Sequence, residues 1–155
     1  MDTTWDLPHP YVLAVTALPA DIDAYRHVNN AVYIAWLDRA AWAHSTALGL
    51  PVQRCLQLDR GMAVVRTVAS YLRPALEGDR IDVATWIVPS EGRARVRRRF
   101  QLHRHRAGET ILRAEVDYVC IELSSGRPIR WPPEFRDVYA ATAEVSTAAE
   151  TLEPL

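Results

Sequence analysis

Two carboxylates, a histidine and two amides fall within one short run, Asp21-Ile22-Asp23-Ala24-Tyr25-Arg26-His27-Val28-Asn29-Asn30. A carboxylate can attack an acyl carbon or activate the water that does, and a histidine ring can orient it. Such a reaction also needs a group that holds charge as it builds on the carbonyl oxygen. The run leads straight into an apolar helical pattern over 31–48. Its polar groups therefore arrive at a helix N-terminus, where unpaired N–H groups and the positive end of the helix dipole favour negative charge. Asn29 or Asn30 can cap that helix, and Gly49 and Pro51 are residue types that stop one.

The elements that position this run follow from pattern. The helix is apolar on nearly every side, through Tyr33, Ile34, Trp36, Leu37, Trp42 and Leu48, with Asp38-Arg39 and His44-Ser45-Thr46 as interruptions. Such a helix is enclosed by protein or lies in lipid, and a charged pair near its middle opposes lipid. Enclosure within a soluble domain is expected, with Asp38 paired to an arginine. Residues 11–17 read as a first strand, and 51–60 as a loop with room for one short strand. Further strands follow over 62–72, 81–88, 93–104 and 110–121, separated by short turns, which favours an antiparallel meander. A short helix is expected over 133–143, and 144–155 as a mobile tail. The fold class is α+β, in a single domain over 1–143.

Asp-Ile-Asp followed by His-Val-Asn-Asn-Ala-Val-Tyr resembles the signature of the hotdog-fold acyl-CoA thioesterases of the 4-hydroxybenzoyl-CoA thioesterase-like family. The likeness continues through Tyr71-Leu72-Arg73-Pro74-Ala75, Gly78-Asp79 and Gly126-Arg127-Pro128, and covers 11–137. It implies a curved antiparallel sheet wrapped on one long central helix. It also implies that Asp23 is the catalytic carboxylate, as nucleophile or general base, with the Asn30 N–H at the carbonyl oxygen and His27 supporting the reaction. Asn29 and Tyr33, in the same motif, are expected to bind substrate. Many relatives carry glycine where this chain has Arg26; if that position is left-handed, arginine there is strained. The family's oligomers further imply a homodimer or homotetramer, in keeping with the need to pair exposed sheet edges.

Each of these residues also has a plainer reading. Asp23 and Asp21 can be turn formers, Asn29 a cap, and His27 a loop-packing residue. His44-Ser45 suggests a serine nucleophile with its base, but adjacent helical residues do not face each other, and no Gly-x-Ser-x-Gly elbow occurs.

Between Arg93 and Arg106 lie seven arginines with His103 and His105 and no acid. Alternation places Ala94, Val96, Phe100 and Leu102 on one face, and Arg95, Arg97, Arg99 and His103 on the other. A solvated face is the ordinary outcome. In an acyl-CoA enzyme, Arg97 and Arg99 could instead hold the phosphates of CoA. Nucleic acid is disfavoured, because exposed aromatics do not interleave with this charge and the formal net charge of the chain is −1.

At 155 residues, 49% hydrophobic and 24% charged, the chain has globular composition. No signal sequence and no membrane span are visible, and Cys55 and Cys120 lack metal-ligand spacing, so a reduced, cytoplasmic pair is expected. No cofactor and no metal is expected. The reading is thus a cytoplasmic acyl-CoA thioesterase. A non-catalytic acyl-CoA binder, a hotdog dehydratase and an acyl-carrier-protein thioesterase stand as alternatives.

Overall fold

The computed structural model describes residues 5–92 and 94–155. In chain order the elements are β1 (Tyr11–Thr16), α1 (Asn30–Ala47), α2 (Val52–Leu58), β2 (Arg60–Tyr71), β3 (Arg80–Val88), β4 (Arg95–Arg104), β5 (Glu109–Glu122), α3 (Pro133–Val138) and α4 (Ala143–Ala149). All five strands form one antiparallel sheet in the order β1-β3-β4-β5-β2. The expected meander therefore holds only for β3, β4 and β5. The chain enters β2 from α2 and joins the far edge beside β5, which leaves β1 to pair with β3.

The helix α1 lies on one face of the sheet and packs most closely on β1 and β3. Its buried side is Tyr33, Trp36, Leu37, Ala40, Ala41 and Ser45. These meet Val83, Phe100, Leu102, Leu112 and Ala114, inward residues of β3, β4 and β5, in the main core. The expected all-round enclosure is not what the chain makes of this helix. Ile34 and Trp42 are exposed, as are Asp38 and Arg39, so Asp38 needs no buried arginine. The apolar pattern was right, but only one side of it is covered within one chain.

Residues 52–58 form a helix rather than a loop or strand. With only Cys55 buried in a two-turn segment, there is too little apolar repeat to show a period. The opposite face of the sheet is covered as well. The segment expected as a tail carries α4, whose Val145 packs with Leu7, Ala84, Trp86 and Val88, flanked by Trp5 and Leu152. The irregular N-terminal segment joins this layer: Asp6 pairs with Arg113 at 2.6 Å, Trp5 stacks on His103, and the Trp86 indole donates to the Pro8 carbonyl. Cover on both faces explains why β3 and β4 are buried along almost their whole length. Cys55 and Cys120 are buried and free. Among the described residues no helix is long and apolar enough to cross a membrane.

Candidate active site

The polar run folds into a small hairpin locked against the start of α1. Ile22 and Val28 form an antiparallel bridge, the Asp23 N–H donates to the His27 carbonyl at 2.9 Å, and the Arg26 N–H donates to the Asp23 carbonyl at 3.0 Å. Arg26 then turns left-handed at φ 61°. This is a tight turn followed by a left-handed residue, a position that glycine fills without strain. The strain anticipated for arginine here is present.

Each side chain of the run has a definite place. Asp21 Oδ2 accepts the Leu18 N–H at 2.8 Å, and the Asp21 carbonyl accepts the Asn29 N–H at 2.9 Å. Asp21 thereby ties the turn before the hairpin to the residue that starts the helix. Asn29 is the N-cap, its Oδ1 accepting from the Ala31 N–H at 2.9 Å while its carbonyl accepts from Val32. Those two bonds satisfy the second and third amides of α1. The first amide, Asn30 N–H, has no acceptor among the described residues, and Asn30 is exposed. Asp23 is half-buried; its Oδ1 accepts the Tyr25 N–H at 2.9 Å, and its other oxygen has no partner among the described residues. His27 is exposed and its ring makes no hydrogen bond among them. One short hairpin therefore presents a carboxylate oxygen, an imidazole and a free helix-terminal amide.

A second layer holds this hairpin down. The Val28 N–H donates to the Ala75 carbonyl, and the Ala75 N–H donates to the Tyr33 hydroxyl at 2.8 Å. Tyr33 is only 2% exposed, and burial raises its pKa above the ordinary tyrosine value. It thus braces the floor of the site from the core side. Tyr71, at the end of β2, packs edge-on to Tyr33 and donates its hydroxyl to the Asn30 carbonyl at 3.3 Å. Sequence reasoning did not single out Tyr71 for this role. Its place in Tyr71-Leu72-Arg73-Pro74-Ala75 was visible, but the contact across 41 residues was not.

The arginine-rich strand lies away from these groups and has its own partners. Arg97 makes a two-point contact with Asp117, at 2.6 and 3.2 Å, and Arg99 binds Glu115 at 3.1 Å and the Glu153 carbonyl at 2.8 Å. Arg97 holds the Asp117 carboxyl below the usual carboxylate range. The outer face is therefore neutralised by β5 and covered in part by the C-terminal segment, not simply solvated. Arg98 escaped the alternation argument. In three consecutive arginines one must point the other way, and Arg98 is 2% exposed on the inner face. There it donates to His44 Nδ1 and to Ser45 Oγ, both at 2.9 Å. The adjacent His44 and Ser45 thus meet a common arginine rather than each other. Burial, and then the Arg98 charge, lower the His44 pKa to about 4.

Known proteins place this geometry in a family. Residues 17–138 match the model of the thioesterase-like superfamily. A curated relative, the long-chain acyl-CoA thioesterase FadM of Escherichia coli (strain K12), is 25% identical over 120 residues, which cover 75% of this chain and 86% of FadM. Among solved structures, the 1,4-dihydroxy-2-naphthoyl-CoA thioesterase Slr0204 of Synechocystis superposes with a TM-score of 0.76 at 18% identity, over 84% of this chain and 96% of that one. The DHNA-CoA thioesterase of Staphylococcus aureus gives 0.77 at 18% identity, over 84% and 88%. The matched span contains the hairpin, the helix and four of the five strands, and the chain belongs to the thioesterase-like superfamily as a hotdog-fold thioester hydrolase.

Proposed function

We propose that this protein hydrolyses acyl-CoA thioesters to the free acid and CoA, with Asp23 as the attacking or water-activating carboxylate and the Asn30 N–H at the developing oxyanion. The observation that carries this reading is that an Asp23 oxygen in the hairpin and the first amide of α1, which follows directly on the hairpin, both lack a partner among the described residues. A helix-terminal amide costs nothing to reorganise as negative charge appears on the thioester oxygen. Thiolate is a good leaving group, so one carboxylate and one aimed amide can carry the reaction. His27, exposed beside them, is assigned a supporting role toward Asp23 or the substrate. Asn29 acts by capping and Tyr33 by bracing, each fixing the direction of the Asn30 amide from behind. The acyl-CoA activities of FadM and of the two solved relatives favour CoA as the thiol carrier.

CoA phosphates at Arg97 and Arg99 would have to displace Asp117 and Glu115, so these two arginines are the least favoured part of the site. A symmetric dimer is proposed as the working form. β2 is an edge strand whose Val64 and Val65 are 53% and 52% exposed, and the uncovered face of α1 presents Ile34 and Trp42 beside it. Pairing of that edge would cover both.

Hydrolysis of a panel of aromatic, short-chain and long-chain acyl-CoAs, followed by free-thiol detection, tests the activity directly. Release of CoA from at least one class is expected. Tight binding of acyl-CoA without any release would make the protein an acyl-CoA binder instead.

A further inference from the structure

Arg98 is a buried cation with no counter-ion among the described residues. Its side chain lies on the inner face of β4, 2% exposed, and its two side-chain hydrogen bonds go to the neutral groups His44 Nδ1 and Ser45 Oγ. The Tyr139 ring lies against it, 5.8 Å from guanidinium carbon to ring centroid. No carboxylate among the described residues forms an ion pair with it, and none appears among the charges that bear on its pKa. Burying an arginine this way is costly unless an anion completes it. The planar fork of N–H donors matches the two oxygens of a carboxylate.

Arg98 also faces open space. A cavity of about 70 Å³ borders Arg98 and Ser45, with apolar walls from Trp42, Met62, Val64 and Val96. A water molecule takes roughly 10–15 Å³ of such volume, so there is room for a carboxylate and the carbons that carry it. The cavity lies between α1 and β2; Asp38, Trp42 and Val64 on its rim are exposed in the single chain, and the dimer proposed above would roof this side over a bound chain. The same two elements meet again at the candidate active site, where Tyr71 of β2 bonds to the Asn30 carbonyl at the start of α1. β2 thus runs beside the helix from the thioester end to the arginine end. Asp38 to Ser45 lie eight to fifteen residues along α1 from Asn30, or roughly 12–22 Å at 1.5 Å per residue. At about 1.2 Å per bond of an extended chain, that is the reach of an acyl group of about eleven to nineteen carbons.

We propose that the α1–β2 groove is an acyl site whose far end is specific for a terminal carboxylate, so that the preferred substrates are ω-carboxyacyl thioesters with Arg98 as the specificity-determining residue. An acyl chain ending in a methyl group would leave the buried guanidinium uncompensated at the end of the pocket, with Asp38 on the exposed rim and no ion-pair partner among the described residues. A chain ending in a carboxylate would complete it with a two-point charge-assisted contact. The inference rests on the acyl-CoA reading for its substrate and on Arg98 for its selectivity.

Octadecanedioyl-CoA and octadecanoyl-CoA, equal in length, long enough to reach Arg98 and different only at the far end, separate the two. The first arm compares their kcat/KM on the unaltered protein; the second compares their affinity for Asp23→Asn by titration calorimetry. A preference of tenfold or more for octadecanedioyl-CoA is expected in both arms, falling to onefold or below when Arg98→Met is introduced. Arg98→Met is expected to fold, because replacing a buried charge by an apolar side chain of similar length is often neutral or stabilising. The comparison on the unaltered protein stands whether or not it does. Binding preference without hydrolysis of either thioester would keep the carboxylate site and remove the hydrolase reading. Hydrolysis of both at equal kcat/KM with equal binding would overturn the carboxylate site and leave the hydrolase reading in place.

Discussion

Arg26 and His44 illustrate how single residues here are held in states they would not choose alone. Arg26 sits at φ 61°, where a residue with a Cβ is strained by about 1–2 kcal/mol. Glycine would relieve that but would gain about 0.4–1 kcal/mol of freedom in the unfolded chain. Arg26→Gly should therefore raise stability by up to about 1 kcal/mol in urea unfolding, and a loss of more than that would mean that the guanidinium makes a stabilising contact. His44 is half-buried and neutral, its Nδ1 accepting from Arg98, with its pKa lowered to about 4. The unfolded chain takes up a proton near pH 6.5 while the folded one resists until about pH 4. This contribution is thus complete above pH 6.5 and is lost as pH falls towards 4. At about 1.4 kcal/mol per pH unit, lowering pH from 7 to 5 should cost about 2 kcal/mol. His44→Asn, which keeps an acceptor for Arg98 but cannot titrate, should show a correspondingly smaller loss. An unchanged pH dependence in that variant would remove His44 as its source.

At the scale of elements, the second face of the sheet depends on α4 and the segment before β1. Ending the chain at 142 would uncover Trp86 and Val88 and free Arg99 from the Glu153 carbonyl. Burial of a large apolar side chain contributes about 1.5–3 kcal/mol, so loss of this cover should lower stability by several kcal/mol without touching the hairpin. An unchanged melting temperature would mean that α4 is dispensable. This layer was the least legible part of the sequence, because Val145, Ala148, Ala149 and Leu152 are too few and too small to stand out from an Ala/Thr/Glu-rich segment. The central helix and β1, β3, β4 and β5 were legible from period and turn residues, which are local signals. That β2 pairs with β5 rather than β3 was not, since pairing is decided by which edge is free once the sheet assembles. At the site, the cap by Asn29 and the anchoring by Asp21 follow from residue type in a turn. The inward turn of Arg98 was hidden by treating Arg97-Arg98-Arg99 as one charged face. For the same reason Arg97→Ala should act on stability more than on KM for acyl-CoA, since its guanidinium is already committed to Asp117. A KM rise with unchanged melting would restore the phosphate-binding reading.

For the whole molecule, one side of α1 and the β2 edge remain uncovered while the candidate catalytic hairpin is hydrogen-bonded in place at the end of the same helix. Dimerisation through that edge would bury Val64, Val65, Ile34 and Trp42 and bring two hairpins into one assembly. Sedimentation equilibrium at micromolar concentration should give twice or four times 17.5 kDa; a monomer of full specific activity would remove the assembly from the account. The proposed chemistry rests on Asp23, and Asp23→Asn isolates it. Asparagine keeps an Oδ1 to accept the Tyr25 N–H, so the hairpin should persist and only the reactive carboxylate is lost. The measurement is kcat for acyl-CoA hydrolysis by Asp23→Asn beside its melting temperature: a fall on the order of 10² or more with melting unchanged is expected, and near-normal turnover in a folded variant would remove Asp23 from the chemistry.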